Sequence, residues 1–273
     1  MRWRVLLTLF LLGYGFLFYQ QEHISRQIEP HLSSPLPSVV QKAVLGVLRQ
    51  LSAEMHFIRT CVFLGNPRSD PTGETNADNL ALNFQVMADL HPLFIDTYFL
   101  CQSTLAYQGG RHTRAANKVL EKGMAAMPDQ WILPFFKGFN HYFYLKENRQ
   151  AAEDLMLASK IPGSVSWLGH LASKLAAEEG DIENGLIWLN AILRTEEDEQ
   201  MRERYKKEIA IFEKAYAVQK AIFQFHQMHA VVPPNLTDLI PDFLPGLPDF
   251  GGSNYYLEWN PPVLRLKRKA PAR

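Results

Sequence analysis

The chain has 273 residues, of which 47% are hydrophobic, enough for one or two ordinary cores. Basic and acidic residues both total 28, so the basic stripe of a nucleic-acid-binding protein is missing and we expect no nucleic-acid partner. Two cysteines, Cys61 and Cys101, are too few for a disulfide framework or a structural zinc site. We expect two buried free thiols, with a single disulfide as the alternative.

The N-terminus has the pattern of a membrane anchor. Arg2 and Arg4 precede an uncharged run from Val5 to Tyr19, and crossing a bilayer takes roughly 17–25 residues. No small residues mark a cleavage point at its end, so residues 1–21 are predicted to be an uncleaved signal anchor that forms a single transmembrane helix. The charges before the run predict a cytoplasmic N-terminus and an exported remainder. A cleaved signal peptide is the alternative.

Residues 22–36 are polar and contain Pro30 and Pro35, which predicts a linker. From Pro37 to Gly65 the pattern predicts helix, followed by the breaker-rich loop GNPRSDPTGETN. The apolar positions at helical intervals are Val40, Ala43, Val44, Val47, Leu51 and Met55.

Four later segments share one pattern, in which a large apolar residue follows an anchor by four positions and a third residue follows by three more. The anchors Leu80, Ala116, Ala151 and Gly185 lie 36, 35 and 34 residues apart. This spacing buries one face of a helix, and small residues on that face let a neighbouring helix approach closely. A proline follows each of the first three segments and cannot continue a helix. The segments are Leu80, Phe84, Met87 and Pro92; Ala116, Leu120, Gly123 and Pro128; Ala151, Leu155, Ala158 and Pro162; and Gly185, Leu189 and Ile192.

A second helix is predicted between successive anchors, over Leu93–Tyr107, Ile132–Leu145 and Val165–Glu178. Two helices recurring at about 34 residues are the tetratricopeptide period. Over roughly residues 75–194 the chain resembles the tetratricopeptide repeat family, and Tyr107 and the Gly180-Asp181 pair match its pattern. Thr104 and Ser173 replace an expected glycine, and Gly138 lies one residue out of register. The resemblance implies an all-α solenoid of antiparallel helix pairs; an irregular helical bundle is the alternative.

From Glu196 to about Ala230 no glycine or proline interrupts the amphipathic pattern, which predicts a long helix that caps the repeats. The predicted repeat domain is therefore residues 37–230. Residues 231–273 form a Pro- and Gly-rich tail in which two short runs predict a small β-hairpin, Tyr255–Trp259 and Val263–Lys267.

The tail is similar to a segment of bacterial pseudopilin-type proteins that packs a helix end against a small sheet. The shared features are a Pro-Pro-Asn-Leu start, a Leu-Pro-Asp stretch, a Gly-Gly pair and a Tyr-Tyr strand. The same tail occurs at the ends of some bacterial membrane-anchored repeat proteins. This resemblance implies a bacterial envelope protein, with the anchor in the inner (cytoplasmic) membrane and the repeat domain in the periplasm.

Residue patterns for catalysis are weak. His226 and His229 lie three apart on the long helix and could share a metal, but no third ligand is evident. Capping of the helix end is the simpler interpretation, with a metal-dependent enzyme as the alternative. The sequence contains no Gly-x-Ser-x-Gly elbow, phosphate-binding loop or paired-cysteine zinc pattern. We therefore predict a protein that is not an enzyme, without catalytic residues, cofactor or metal.

The tetratricopeptide resemblance implies partner binding on the concave face formed by one helix of each pair. Its polar and aromatic character would suit an extended peptide, possibly with an acidic terminus, and an ordinary solvated face is the alternative. We predict a scaffold for protein–protein interaction in secretion, pilus or polysaccharide machinery; a purely structural tether is the rival hypothesis. The candidate groove residues are Tyr98, Gln102, Lys137, Asn140, Tyr144, His170, Lys174 and Glu178.

An excess of aromatic residues around the middle helix is predicted to serve mainly inter-helix packing. These residues are Trp131, Phe135, Phe136, Phe139, Tyr142 and Phe143.

Overall fold

The computed structural model describes Tyr14 and residues 31–269. These residues are mostly helical, with one two-stranded antiparallel sheet near the C-terminus. The chain divides into two compact units at Gln108 and Gly109, within the range predicted as the repeat domain. The first unit contains α1 (Ser38–Leu45), a 3₁₀ turn (Gly46–Leu48), α2 (Arg49–Leu64), α3 (Glu74–Leu90) and α4 (Ile95–Thr104).

Residues 109–269, the described part of the second unit, form six α-helices and the sheet. Neighbouring helices pack on one another in sequence order, from α5 against α6 to α9 against α10. The elements are α5 (Gly110–Ala126), α6 (Ile132–Phe139) with a π-helical continuation (Asn140–Leu145), α7 (Asn148–Ser159), α8 (Trp167–Glu178), α9 (Ile182–Thr195), α10 (Glu199–His229), a 3₁₀ turn (Leu236–Leu239), β1 (Tyr255–Asn260) and β2 (Val263–Arg268).

Within the described part of the chain, no helix combines the length and apolar character needed to cross a bilayer. Of the predicted anchor, residues 1–21, only Tyr14 belongs to that part, so the anchor prediction falls outside the described residues. Residues 31–36 of the predicted linker carry no helix or strand.

The phased positions identified in the sequence lie in the core. Leu80, Phe84 and Met87 are fully buried on α3, and Ala116 and Leu120 are buried on α5. The equivalent residues of α7, and the first two of α9, are also buried, while Ile192 is half-buried. The helix-period pattern therefore predicted the buried faces correctly, and each proline follows its helix end within three residues.

The predicted helix over residues 37–65 is present but interrupted, because Gly46, the first residue of the 3₁₀ turn, adopts a positive φ of 51°. The face that packs inward differs from the apolar one. Ala53, Thr60 and Phe63 of α2 are buried, whereas most of the apolar positions on which the helix was predicted are exposed, namely Val40, Val44, Val47, Leu51 and Met55.

The cysteine prediction is half right. Both thiols are free, and Cys101 is buried on α4, but Cys61 is exposed on α2. Cys61 follows the inward-facing Thr60 by one position, and this step of about 100° turns its side chain away from α3. Burial raises the pKa of the Cys101 thiol well above its ordinary value.

The C-terminal core joins α9, α10 and the hairpin. Asp198 caps α10, its side chain accepting hydrogen bonds from the backbone N–H groups of Gln200 and Met201. The hairpin pairs Tyr255 with Arg268 and Asn260 with Val263, in agreement with the predicted strands. The buried side chains that meet there include Ile182, Leu189, Ile209, Phe212, Val218, Leu264 and Leu266.

Gly185 lies where α9 packs tightly on α8 and α10. A Cβ on Gly185 would lie 2.7 Å from the Ser173 carbonyl oxygen and 2.9 Å from Cε1 of Phe212. We expect Gly185→Ala to lower the free energy of unfolding by about 1–3 kcal/mol, which outweighs the ~0.5–1 kcal/mol that alanine gains in a helix.

Urea unfolding followed by circular dichroism measures this effect. Gly246→Ala is the matched control, because a Cβ on Gly246 meets no atom within 4 Å. Equal stabilities for the two variants would contradict tight packing at Gly185.

Candidate protein-binding surface

In the first unit, the two candidate groove residues lie on α4. Tyr98 is fully buried, and its hydroxyl donates a 2.8 Å hydrogen bond to the carbonyl oxygen of Pro92. Burial raises the pKa of Tyr98 to about 12. Gln102, one turn further on, is half-buried. Tyr98 is thus a core residue that secures the α3–α4 connection, and its ring offers no surface to a partner.

In the second unit, the candidate residues of α6 hold neighbouring helices together. Lys137 Nζ lies 3.0 Å from Glu121 Oε1 of α5 and 3.3 Å from Asp154 Oδ1 of α7. Burial alone would lower the pKa of Lys137, but the two carboxylates raise it above its ordinary value. Asn140 is fully buried, and its amide nitrogen donates a 2.8 Å hydrogen bond to Asn117 Oδ1. Both side chains therefore act between helices.

Two of the three candidate residues of α8, His170 and Lys174, converge on one carboxylate, Glu208 of α10. Glu208 contacts His170 Nε2, lies 3.4 Å from Lys174 Nζ, and accepts a hydrogen bond from the Tyr255 hydroxyl of the hairpin. Burial would raise the pKa of Glu208, but His170, Tyr255 and Lys174 lower it to about 2. Burial also lowers the pKa of Lys174. The chain's own helix and hairpin thus occupy this face of α8.

Glu178, the last residue of α8, is half-buried, and burial raises the pKa of its carboxyl group. Of the eight candidates, the six in the second unit therefore lie in separate clusters rather than in one open strip. Of the eight, Tyr144 has a different setting, because it belongs to a row of aromatic rings.

The aromatic row runs along α6 and its π-helical continuation. Trp131, Phe135, Phe139 and Phe143 follow one another at four-residue intervals, so they share one helix face. The successive ring centroids are 6.0, 6.3 and 5.3 Å apart. Trp167, at the start of α8, meets the edge of Phe135 at 6.2 Å. Trp131 and Phe135 pack against the core between α7 and α8, and every ring of the row keeps part of its surface in solvent.

The exposed end of the row lies in the π-helical segment. Phe143 is 52% exposed and stacks parallel to Phe139, while Tyr144 meets both rings edge-on. Lys146 Nζ lies 5.2 Å from the Phe143 ring centroid. Trp167 is 49% exposed. Phe139 and Phe143 belong to the aromatic set predicted to serve mainly inter-helix packing, yet Phe143 is half exposed.

The two histidines considered for a metal, His226 and His229, are exposed in the last turn of α10. His229 packs on Phe225 and Phe243. Among residues 31–269 and Tyr14, no group of three or more histidine, cysteine, aspartate or glutamate side chains is placed to hold a metal ion.

A cavity of about 600 Å³ opens in the first unit, between the segment 31–36 and the helices α1 and α2. His56 Nε2 and Ser52 Oγ both contact Gln41 Oε1, at 3.2 and 2.8 Å. Because Gln41 stands between them, Ser52 and His56 do not form the direct hydrogen bond of an activated nucleophile. Burial lowers the pKa of His56, partly offset by the hydrogen bond that His56 Nδ1 donates to Asn83 Oδ1 at 3.2 Å.

The half-exposed aromatic row is thus the feature of the second unit that best fits a binding surface. Its sequence signal was the four-residue spacing of aromatic residues from Trp131 to Phe143. No protein-family model, curated protein sequence or solved structure matches this chain.

Proposed function

We propose that the chain is a membrane-tethered helical-repeat scaffold of the tetratricopeptide type, which binds a protein partner in a bacterial envelope assembly. The aromatic row of Trp131, Phe135, Phe139, Phe143 and Trp167 is its contact surface. The observation that supports this surface most directly is that five large aromatic rings form one continuous array and are all partly exposed. Aromatic side chains supply most hot spots of protein interfaces, since they bury a large area with few rotatable bonds.

The repeat architecture is supported by two observations. The buried anchors recur at 34–36 residues, and in the second unit each helix packs mainly on its sequence neighbours. Neighbour-only packing is characteristic of solenoids, in which each repeat contacts the next. The bacterial inner membrane and periplasmic placement rest on Arg2, Arg4, the uncharged run and the pseudopilin-like tail.

The polar groove residues need a different role in this proposal. Because Lys137 and Lys174 form internal ion pairs, reversing their charges would break helix contacts as well as any groove. The aromatic row is a better target for mutation, since the side chains of Phe143 and Trp167 are about half exposed.

A photo-crosslinking amino acid at position 143 of the full chain, expressed in a bacterial host, tests the surface. We expect a covalent adduct with one envelope protein. The same amino acid at Ile187, an exposed position of α9, is the control and should give no adduct. Equal labelling from both positions, or none from position 143, would refute the row as the contact surface.

We also expect Phe143→Ala with Trp167→Ala to weaken binding of the crosslinked partner segment by roughly thirty-fold, the effect of losing about 2 kcal/mol of aromatic contact. Isothermal titration with the synthetic segment measures this change. Unaltered circular dichroism establishes that the variant is folded, and Ile187→Ala should bind as the parent chain does.

A further inference from the structure

Helix α2 carries an apolar stripe that no part of the described chain covers. Leu48, just before the helix, and Leu51, Met55, Ile58 and Val62 are between 45% and 68% exposed. The opposite face of α2 is buried against α3 through Ala53, Thr60 and Phe63. We call the five exposed residues the α2 seam.

The spacing of the α2 seam is specific. Successive members lie three, four, three and four residues apart, the heptad alternation of positions a and d in a coiled coil. A helix that packs on a globular core shows a wider apolar stripe, whereas a strict a/d seam fits one partner helix. The spacing of the α2 seam therefore fits a partner helix of matching period.

The flanking charges indicate which helix that is. Glu54 precedes the a position Met55 and so occupies g, and Arg59 follows the d position Ile58 and so occupies e. Glu54 Oε1 lies 3.8 Å from His91 Nδ1 of the same chain, but the Glu54 side chain stays 48% exposed. In a parallel pair, g of one helix faces e of the following heptad on the other, five residues later. Glu54 of one copy then faces Arg59 of the second, and the two-fold axis repeats the pair.

The antiparallel alternative lacks this complementarity. It places g against g and e against e, so Glu54 and Arg59 would not meet each other across the seam. A membrane surface is also less favoured, because interfacial helices are rich in Lys and Arg on the polar face. Helix α2 carries only Arg49 and Arg59 as cations, together with Glu54.

We propose that the chain forms a parallel homodimer in which the α2 seams of two copies pack together, oriented by reciprocal Glu54–Arg59 ion pairs. This inference uses the first unit alone and does not depend on the partner-binding function of the aromatic row.

Sedimentation velocity of the full chain in mild detergent tests the dimer. We expect concentration-dependent dimerisation of the parent chain and a monomer for Leu51→Glu with Ile58→Glu. Val39→Glu is the matched control, because Val39 is exposed in the same unit but lies off the seam. Circular dichroism distinguishes loss of the dimer from loss of the fold. A parent chain that stays monomeric throughout would overturn the proposal.

A charge exchange tests the orientation. Glu54→Arg and Arg59→Glu should each weaken self-association roughly ten-fold, since each disrupts two symmetric exposed pairs. The double exchange restores the pairs and should return the dimer to near parent strength. A double variant no stronger than the single variants would exclude the parallel pairing.

Disulfide trapping gives an independent result. In a Cys61→Ser background, Leu51→Cys should oxidise to a covalent dimer, because d positions of parallel helices face each other across the axis. Val39→Cys should remain monomeric under the same oxidation. Equal crosslinking at both positions would indicate random collision and would contradict the seam.

Discussion

Glu208→Ala is expected to destabilise the second unit by about 3–5 kcal/mol, the effect of removing one partner of a buried ion pair. The Glu208 side chain is only 12% exposed and contacts donors from both α8 and the hairpin. Without it, His170, Lys174 and the Tyr255 hydroxyl keep the desolvation cost of burial and lose their shared acceptor.

Chemical denaturation monitored by circular dichroism measures the loss. Glu213→Ala is the control, since Glu213 is exposed on the same helix. Tyr255→Phe removes one donor and leaves the ion pairs intact, so we expect a smaller loss of about 1 kcal/mol. A Glu208→Ala variant as stable as the Glu213→Ala control would show that the cluster contributes nothing to folding.

The same carboxylate predicts a pH dependence. Its pKa is lowered from 4.5 to about 2 in the folded chain, so the unfolded chain binds the proton more readily. The stabilisation from Glu208 is therefore complete above pH 4.5 and disappears as the pH falls towards 2. Denaturation midpoints measured over this range should fall less steeply for Glu208→Gln than for the parent. Identical slopes would contradict the pKa shift.

Phe212→Ala is expected to lower the free energy of unfolding by about 3–5 kcal/mol, as large-to-small substitutions of buried phenylalanine do. The ring is fully buried, meets Tyr255 edge-on at 6.3 Å, and lies beneath Gly185. Its loss leaves a cavity between α9, α10 and the hairpin.

Phe223→Ala provides the comparison on the same helix, because Phe223 is 60% exposed. Thermal or urea unfolding should separate the two variants clearly. If both variants lose an equally small amount of unfolding free energy, Phe212 does not pack between α10 and the hairpin as the structure shows.

The helical framework was largely readable from the sequence. Periodicity placed the long helix within three residues of its start, Glu199, and within one of its end, His229, and strand alternation placed both hairpin strands. These elements depend on local propensity and on burial of one face, both of which leave a regular spacing in the chain. The π-helical turn at Asn140–Leu145 was not predicted, because it continues the apolar period of α6 without a breaker.

The surroundings of the candidate groove residues could not be predicted in the same way. His170 and Glu208 are separated by 38 residues, and Glu208 and Tyr255 by 47. No local pattern reports that three such residues meet. The α2 seam had a local signal in the sequence, because the spacing of apolar residues continues through Ile58 and Val62. Periodicity alone does not say whether the same chain covers an apolar face.

The way α10 and the hairpin close over α8 and α9 has a consequence for filament formation. Helix pairs that stack on one another can grow without limit if the last pair leaves its apolar side open to the first pair of another molecule. Here that side is filled by Phe212, Leu264 and Leu266, and the polar face of α8 is held by Glu208. Head-to-tail stacking of another copy on this side would require the hairpin to detach first.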